Sequence, residues 1–274
     1  MDEEVFAEPR AVNSIDDCYF YHTMDLPGHG LVHGEWDLRG REAAYLGHVK
    51  VAGKRVLDVG TASGHLCFAM EKMGAGVVGY DLSDQQEWDV VPYAANDVSS
   101  YIRERKQHIR KLNNSFWFAH RAFASNARVV YGTVYQVPEG LGRFDLCVFG
   151  SILLHLRDPF LALQCITSHV DETVVVSEMT SRSGLPALVH RLLTLFETVA
   201  GIRLIRFMPD SKRRSPLDTW WVPTPRLICE YLAILGFPHT TVTYHRQLHG
   251  ERLGGQKELL MYTVVGHRKA PTAG

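Results

Sequence analysis

A chain of 274 residues with 46% hydrophobic content and a formal net charge of -1 can bury a large core, as one domain or as one domain with a lid. The near-neutral total lacks the basic bias that advertises a phosphate-backbone partner, although a local patch can sit inside a neutral sum. Five cysteines without a Cys-x-x-Cys pair, an acidic N-terminus and no window near the ~18 apolar residues of a membrane span predict a reduced, soluble, cytoplasmic protein.

Residues 1–50 read as a leader or lid. It carries CYFYHTMDLPGHGLVHGEWDLRG, rich in aromatics, glycine and histidine, and then REAAYLGHV, whose Ala43, Ala44, Leu46 and Val49 fall on one helix face. RVLDVG reads as a buried strand, CFAMEKMGA as a helix ended by Gly74, and GVVGYDL as a second strand. A charged-to-aromatic segment over 98–124 reads as a helix inside an insertion of about 84–126. ARVVYG, FDLCVFG and ETVVVSEM supply three more strands, with PFLALQCI as a helix before the last. LPALVHRLLTLFETVAG is a helix candidate, PDSKRRSP a polar turn, and PTPRLICEYLAILG a helix opening on proline. TTVTYHR and LLMYTVVGHR close the chain as an antiparallel pair at one end of the sheet. The alternation predicts an α/β domain over 51–274 with a doubly wound, mostly parallel, seven-stranded sheet.

In such a sheet ligands bind beyond the carboxyl ends of the strands, and the loop after the first strand is the usual cradle. That loop is Asp58-Val-Gly60-Thr61-Ala62-Ser-Gly64, whose small residues admit close approach by a ligand. Counting G-x-G-x-x-G from Gly60 meets Ala62 and His65, which disfavours a pyrophosphate. An acid at the strand tip, Asp58, suits a cationic ligand with an amino-acid tail and a sulfonium. A second acid, Asp81, lies about 20 residues on, where a carboxylate reaches a ribose diol.

D-V-G-T-A-S-G followed by a strand ending Y-D-L resembles the first motifs of class I S-adenosylmethionine-dependent methyltransferases, with Ala62 in place of the middle glycine of D-x-G-x-G-x-G. YGTVYQVPEGLGRFDLCVFGSILLHLRDP is similar to the same family's third and fourth strand regions. The resemblance implies a Rossmann-like fold and S-adenosylmethionine as cofactor. It implies that Gly60, Thr61, Ala62, Gly64 and the Asp81-Leu82 strand end hold that cofactor, that Thr133 or Val134 lies against the adenine, and that Gly150, Ser151 and Ile152 border the methionine. A narrower resemblance joins HGEWDLRGREAAYLGHVKVAGKRVLDVGTASG, ILLHLRDPFLALQCI and TWWVPTPRLICEYLAILGF to the tRNA wobble-uridine carboxymethyl-transferase type and its bacterial relatives. It implies that Glu35, Trp36 and Arg39 reach back over the cofactor.

The sulfonium is already a good leaving group, so positioning of the acceptor is the main catalytic requirement. His155, just after the fourth strand, is the candidate base for a hydroxyl acceptor, or else a loop histidine at a helix start. Glu178, ending the fifth strand, either pairs with a cationic acceptor or caps a following helix. Tyr21, Trp88, Trp220 and Trp221 are candidate pocket walls beside Glu35, whereas Phe116, Phe118 and Phe123 follow core periodicity. The run RERKQHIRK is either a solvated helix face or a contact for RNA. No metal-ligand spacing or G-x-S-x-G elbow is present. The sequence thus predicts a methyltransferase for an N or O atom of a small molecule, a cationic amine or guanidine foremost. A tRNA-modifying enzyme and a non-catalytic cofactor-binding module are the alternatives.

Overall fold

In the computed structural model, residues 5–94, 96–180, 201–250 and 255–270 are described. The helix expected at LPALVHRLLTLFETVAG falls outside them, apart from Gly201. The leader forms a small antiparallel hairpin, β1 (Met24–Leu26) with β2 (Gly30–Val32), and a two-residue strand, β3 (Trp36–Asp37). The helix expected over REAAYLGHV is a single turn, α1 (Glu42–Tyr45), because Gly47 and His48 both adopt positive φ, at 64° and 61°.

The domain proper follows as β4 (Arg55–Val59), α2 (His65–Lys72), β5 (Gly76–Asp81), α3 (Ser99–Phe123), β6 (Arg128–Tyr131), β7 (Phe144–Gly150), α4 (Pro159–Thr167) and β8 (Val170–Met179). Then come β9 (Ile205–Phe207) and β10 (Trp221–Pro223), which pair with each other, α5 (Pro225–Ile234), β11 (His239–His249) and β12 (Lys257–His267). α4 and α5 start as their sequences require. Asp158 and Thr224 accept from the N–H groups of Leu161 and Leu227, and Pro159 and Pro225 follow at a position where a missing N–H costs nothing.

The main sheet runs β3-β11-β12-β8-β7-β4-β5-β6. β4 is parallel to β5 and β7, β5 to β6, and β7 to β8, while β12 is antiparallel to both β8 and β11. The sheet therefore has eight strands instead of the expected seven. The eighth is β3, where Trp36 and Asp37 pair with His249 and Leu248 at the far end of β11. Two residues are too few to produce an alternation, so only pairing with β11 reveals the strand.

Successive residues of each strand go to opposite faces. Val56, Val77, Val129, Val148 and Val175 join Leu66, Met70, Phe116 and the leader in one core cluster. Leu57, Val78, Val130, Phe149 and Val176 join Leu163, Ile166, Ile228 and Leu232 in the other. Each buried side chain of this size contributes ~1.5–3 kcal/mol of burial. That is why the strands read as continuous apolar runs. From β4 the chain winds outward to β5 and β6, then returns to β7 on the other flank. The switch point lies between β4 and β7, where the carboxyl ends open into a crevice.

Candidate active site

A cavity of about 630 Å³ sits at that crevice. One wall comes from strand ends: Gly60 and Ala62 after β4, Asp81 and Leu82 after β5, Thr133 and Val134 after β6, and Gly150 and Ser151 after β7. The other wall comes from elsewhere: Tyr19, Tyr21 and Glu35 of the leader, Trp88 and Asp89 after β5, Arg105 and His108 of α3, His155, and Asp218.

The strand-end wall is close-fitting. Gly60 has φ of 78°, and a Cβ there would stand 2.3 Å from Ile152 Cγ2, so only glycine is accommodated. Ala62 and Ser151 take left-handed backbone, φ 52° and 55°, without being glycine; such outliers concentrate at binding sites. Asp81 accepts from Ala62 N–H at 2.6 Å and from Leu82 N–H at 2.7 Å, which fixes its carboxylate at the lip of the cavity. Burial raises its pKa to about 6, against the opposing effect of those two donors.

On the opposite wall, His155 Nδ1 lies 2.5 Å from the Asp218 carbonyl oxygen. A carbonyl only accepts, so Nδ1 carries the proton and Nε2 keeps its lone pair. Burial lowers the imidazole pKa below its ordinary value, with the Asp218 carbonyl acting in the other direction. The Trp88 ring meets His155 edge-on at 5.5 Å, and the Tyr19 and His108 rings lie 4.4 Å apart. The leader is anchored on both sides. Tyr19 N–H donates to Ser115 Oγ of α3 at 2.7 Å, and His22 N–H to Ser63 Oγ of the β4–α2 loop at 3.2 Å. Gly34 permits this path, since a Cβ there would stand 2.3 Å from the His22 carbonyl carbon.

Of the residues expected at the site, Tyr21, Glu35, Gly60, Ala62, Asp81, Leu82, Trp88, Thr133, Val134, Gly150, Ser151, Ile152 and His155 all line this one cavity. The others do not. Asp58 is 2% exposed beneath the loop, and burial lifts its pKa to about 7. Thr61 is buried, and Gly64 serves as the residue before α2 with φ 87°. Trp36 turns into the core and donates Nε1–H to Tyr21 Oη, while Arg39 pairs with Asp37 and Asp25 at 2.8 Å each. Glu178 is 1% exposed and its Oε1 accepts Leu153 N–H at 2.8 Å, so it caps the turn after β7 instead of facing an acceptor. Trp220 and Trp221 donate to the carbonyls of Asp89 and Arg157 and buttress the wall from behind.

Two residues were legible only as part of the basic run. Arg105 and His108 share one helix face with Ile109 and Leu112, at i, i+3, i+4 and i+7, and all four line the cavity. That spacing was the available signal. Within the same run Lys106 faces Glu87 at 3.9 Å, and Arg103, Arg110 and Lys111 are exposed. For Asp218, in an irregular segment, the sequence held no signal. Among the described residues no group of three or more His, Cys, Asp and Glu could hold a metal, and no helix is long and apolar enough to cross a membrane.

An open α/β sheet with a cavity at its switch point, glycine at its first loop and a carboxylate at its second strand end defines a Rossmann-like fold whose cradle has the shape and acceptors an adenosyl-type ligand requires. The chain belongs to the methyltransferase domain family, which matches residues 37–233. Its fold is similar to that of a S-adenosylmethionine-dependent methyltransferase from Methanosarcina mazei, with 14% identity over 86% of this chain and 100% of that one, at a TM-score of 0.51. Family membership makes it a methyltransferase-domain protein, and its fold is the one that the S-adenosylmethionine-dependent enzyme of M. mazei adopts. Weaker likenesses include the N-terminal domain of EvdMO1 with S-adenosylhomocysteine bound (18% identity, 84% of this chain, 80% of that one, TM-score 0.48). Another is 1,6-didemethyltoxoflavin-N1-methyltransferase from Burkholderia thailandensis (16%, 85% and 78%, TM-score 0.45). No curated protein matches the chain.

Proposed function

We propose that the protein methylates a hydroxyl, or a neutral nitrogen, of a small-molecule acceptor, with His155 as general base. The observation that carries this reading is one continuous cavity lined both by the strand-end cradle and by an imidazole with a free lone pair. The cradle fits the cofactor chemically. Gly60 leaves room for close approach, Asp81 offers acceptors to a ribose diol, Thr133 and Val134 offer a flat flank to a base, and Gly150 and Ser151 border the remainder.

When bound, S-adenosylmethionine supplies a methyl carbon on a sulfonium, so transfer forms one acceptor–carbon bond, breaks one sulfur–carbon bond, and leaves the electron pair on the homocysteine sulfur. His155 Nε2 takes the acceptor's proton, and the resulting imidazolium is held by the Asp218 carbonyl at Nδ1. Tyr19, Tyr21 and Trp88 exclude water and flank the acceptor. The reading of residues 1–50 as the lid of the 51–274 domain is supported by the ties from Tyr19 to α3 and from His22 to the first loop. Glu178 caps a turn and does not line the cavity, which supports a hydroxyl acceptor over an amine or guanidine paired with that acid.

Transfer of label from methyl-labelled S-adenosylmethionine into a metabolite extract, run beside bulk tRNA, tests the proposal. Label in a small molecule supports it. Label in tRNA alone, or calorimetric silence with S-adenosylhomocysteine, overturns it.

A further inference from the structure

The acids in the cavity wall are already engaged. Glu35 accepts from the Tyr19 hydroxyl, Asp81 from two backbone N–H groups, and Asp89 from the Tyr135 hydroxyl and Arg157 N–H. Asp218 accepts from the Tyr101 hydroxyl at 2.9 Å, and Glu87 faces Lys106 at 3.9 Å. Arg105 differs. It lines the same cavity, its Nε is buried without a hydrogen-bond partner, and among the described residues no carboxylate forms an ion pair with it. Its guanidinium lies over the Tyr101 ring at 5.2 Å, which orients the fork without giving Nε a hydrogen-bond partner. A permanently charged, forked donor in a cavity wall whose buried Nε has no partner, and which among the described residues pairs with no carboxylate, fits a carboxylate-sized anion.

The surroundings narrow the ligand further. Tyr19, Tyr21, Trp88 and His108 give the wall flat ring surfaces suited to a planar body. Arg105 and His155 are linked through Tyr101 and Asp218. The Tyr101 ring supports the guanidinium, its hydroxyl donates to the Asp218 carboxylate, and the Asp218 carbonyl holds His155. An anion anchor and a base thus stand on one frame, joined by a ring contact at Arg105 and by hydrogen bonds from Tyr101 to His155.

We propose that the acceptor is a planar, hydroxylated aromatic acid whose carboxylate pairs with Arg105 and whose hydroxyl faces His155. This rests on the reading of the cavity as a methyl-transfer site. It gives α3 a specificity role instead of a role in RNA contact.

Calorimetric titration of the S-adenosylhomocysteine complex with ortho-, meta- and para-hydroxybenzoate and their methyl esters tests the assignment, using the wild type, Arg105→Gln and Arg105→Lys. At least one acid is expected to bind about tenfold tighter than its ester in the wild type. Arg105→Gln erases that preference, and Arg105→Lys keeps part of it, since an ammonium retains the charge but not the fork. Both variants are expected to bind S-adenosylhomocysteine within about twofold of wild type, which also reports that they fold. No acid binding better than its ester, or a preference that survives in Arg105→Gln, overturns the assignment. Failure of the wild type to bind S-adenosylhomocysteine overturns the proposed function instead, so the two failures are distinguishable.

Discussion

The two walls of the cavity are built by different rules. The strand-end wall uses backbone: glycine and left-handed residues at fixed steps after β4 and β7, and a carboxylate held by two N–H groups after β5. The opposite wall uses side chains drawn from the leader, from α3 and from loops more than a hundred residues apart, such as those of Trp88 and Asp218. A wall made of backbone in tight loops tolerates little change and serves a ligand of fixed shape. One assembled from side chains can be altered residue by residue, and sets which acceptor is taken.

The largest break in that division is expected at His155. His155→Ala lowers turnover by about 10²–10⁴-fold while cofactor affinity stays put, as measured by kcat beside S-adenosylhomocysteine calorimetry. Near-normal turnover at saturating cofactor would remove the base. Because the folded-state pKa lies below the ordinary histidine value of 6.5, the rate should hold across neutral pH and fall only on acidification below 6.5. The opposite dissection is Asp81→Ala, which loses two charge-assisted contacts to a diol and raises the dissociation constant for S-adenosylhomocysteine about 100-fold. An unchanged constant would mean that the strand-end wall does not hold the sugar.

Glu178→Gln sharpens the line between site and support. Its carboxyl titrates at about 8 in the fold against 4.5 outside it, because burial disfavours the charge. The stability it contributes is therefore full below pH 4.5 and lost as pH rises through about 8. Denaturant titrations at pH 5 and pH 8 should find a smaller pH-dependent loss in the variant, with turnover nearly unchanged. A collapse of turnover would return Glu178 to the site. The smallest effect is expected from Trp36→Phe and Arg39→Ala, which lie outside the cavity and should shift cofactor affinity by less than about threefold.

Legibility followed the same division. Gly60, Ala62, Asp81 and the Thr133 and Gly150 regions could be read because strand, loop and helix follow one another within a few residues, and local spacing carries the geometry. Asp58 shared that spacing yet lies below the loop, since alternation along a strand turns adjacent residues to opposite sides, and Thr61 and Gly64 are buried within the loop itself. Glu178 sits at a strand tip as expected, but the tip is covered by the turn that it caps. Trp36 and Arg39 rest on a resemblance, and the structure turns both elsewhere: Trp36 is held in β3 against β11, and Arg39 by Asp37 and Asp25.

By itself the sequence determined the alternating strands and helices, the two apolar faces of the sheet and the cradle at its centre, because each depends on residues close together in the chain. Only the tertiary structure decided that there is an eighth strand, that Arg105 faces a cavity instead of solvent, and that the Asp218 backbone fixes the His155 tautomer. These depend on which distant segments meet, and that is set by the burial of whole faces, not by any local pattern.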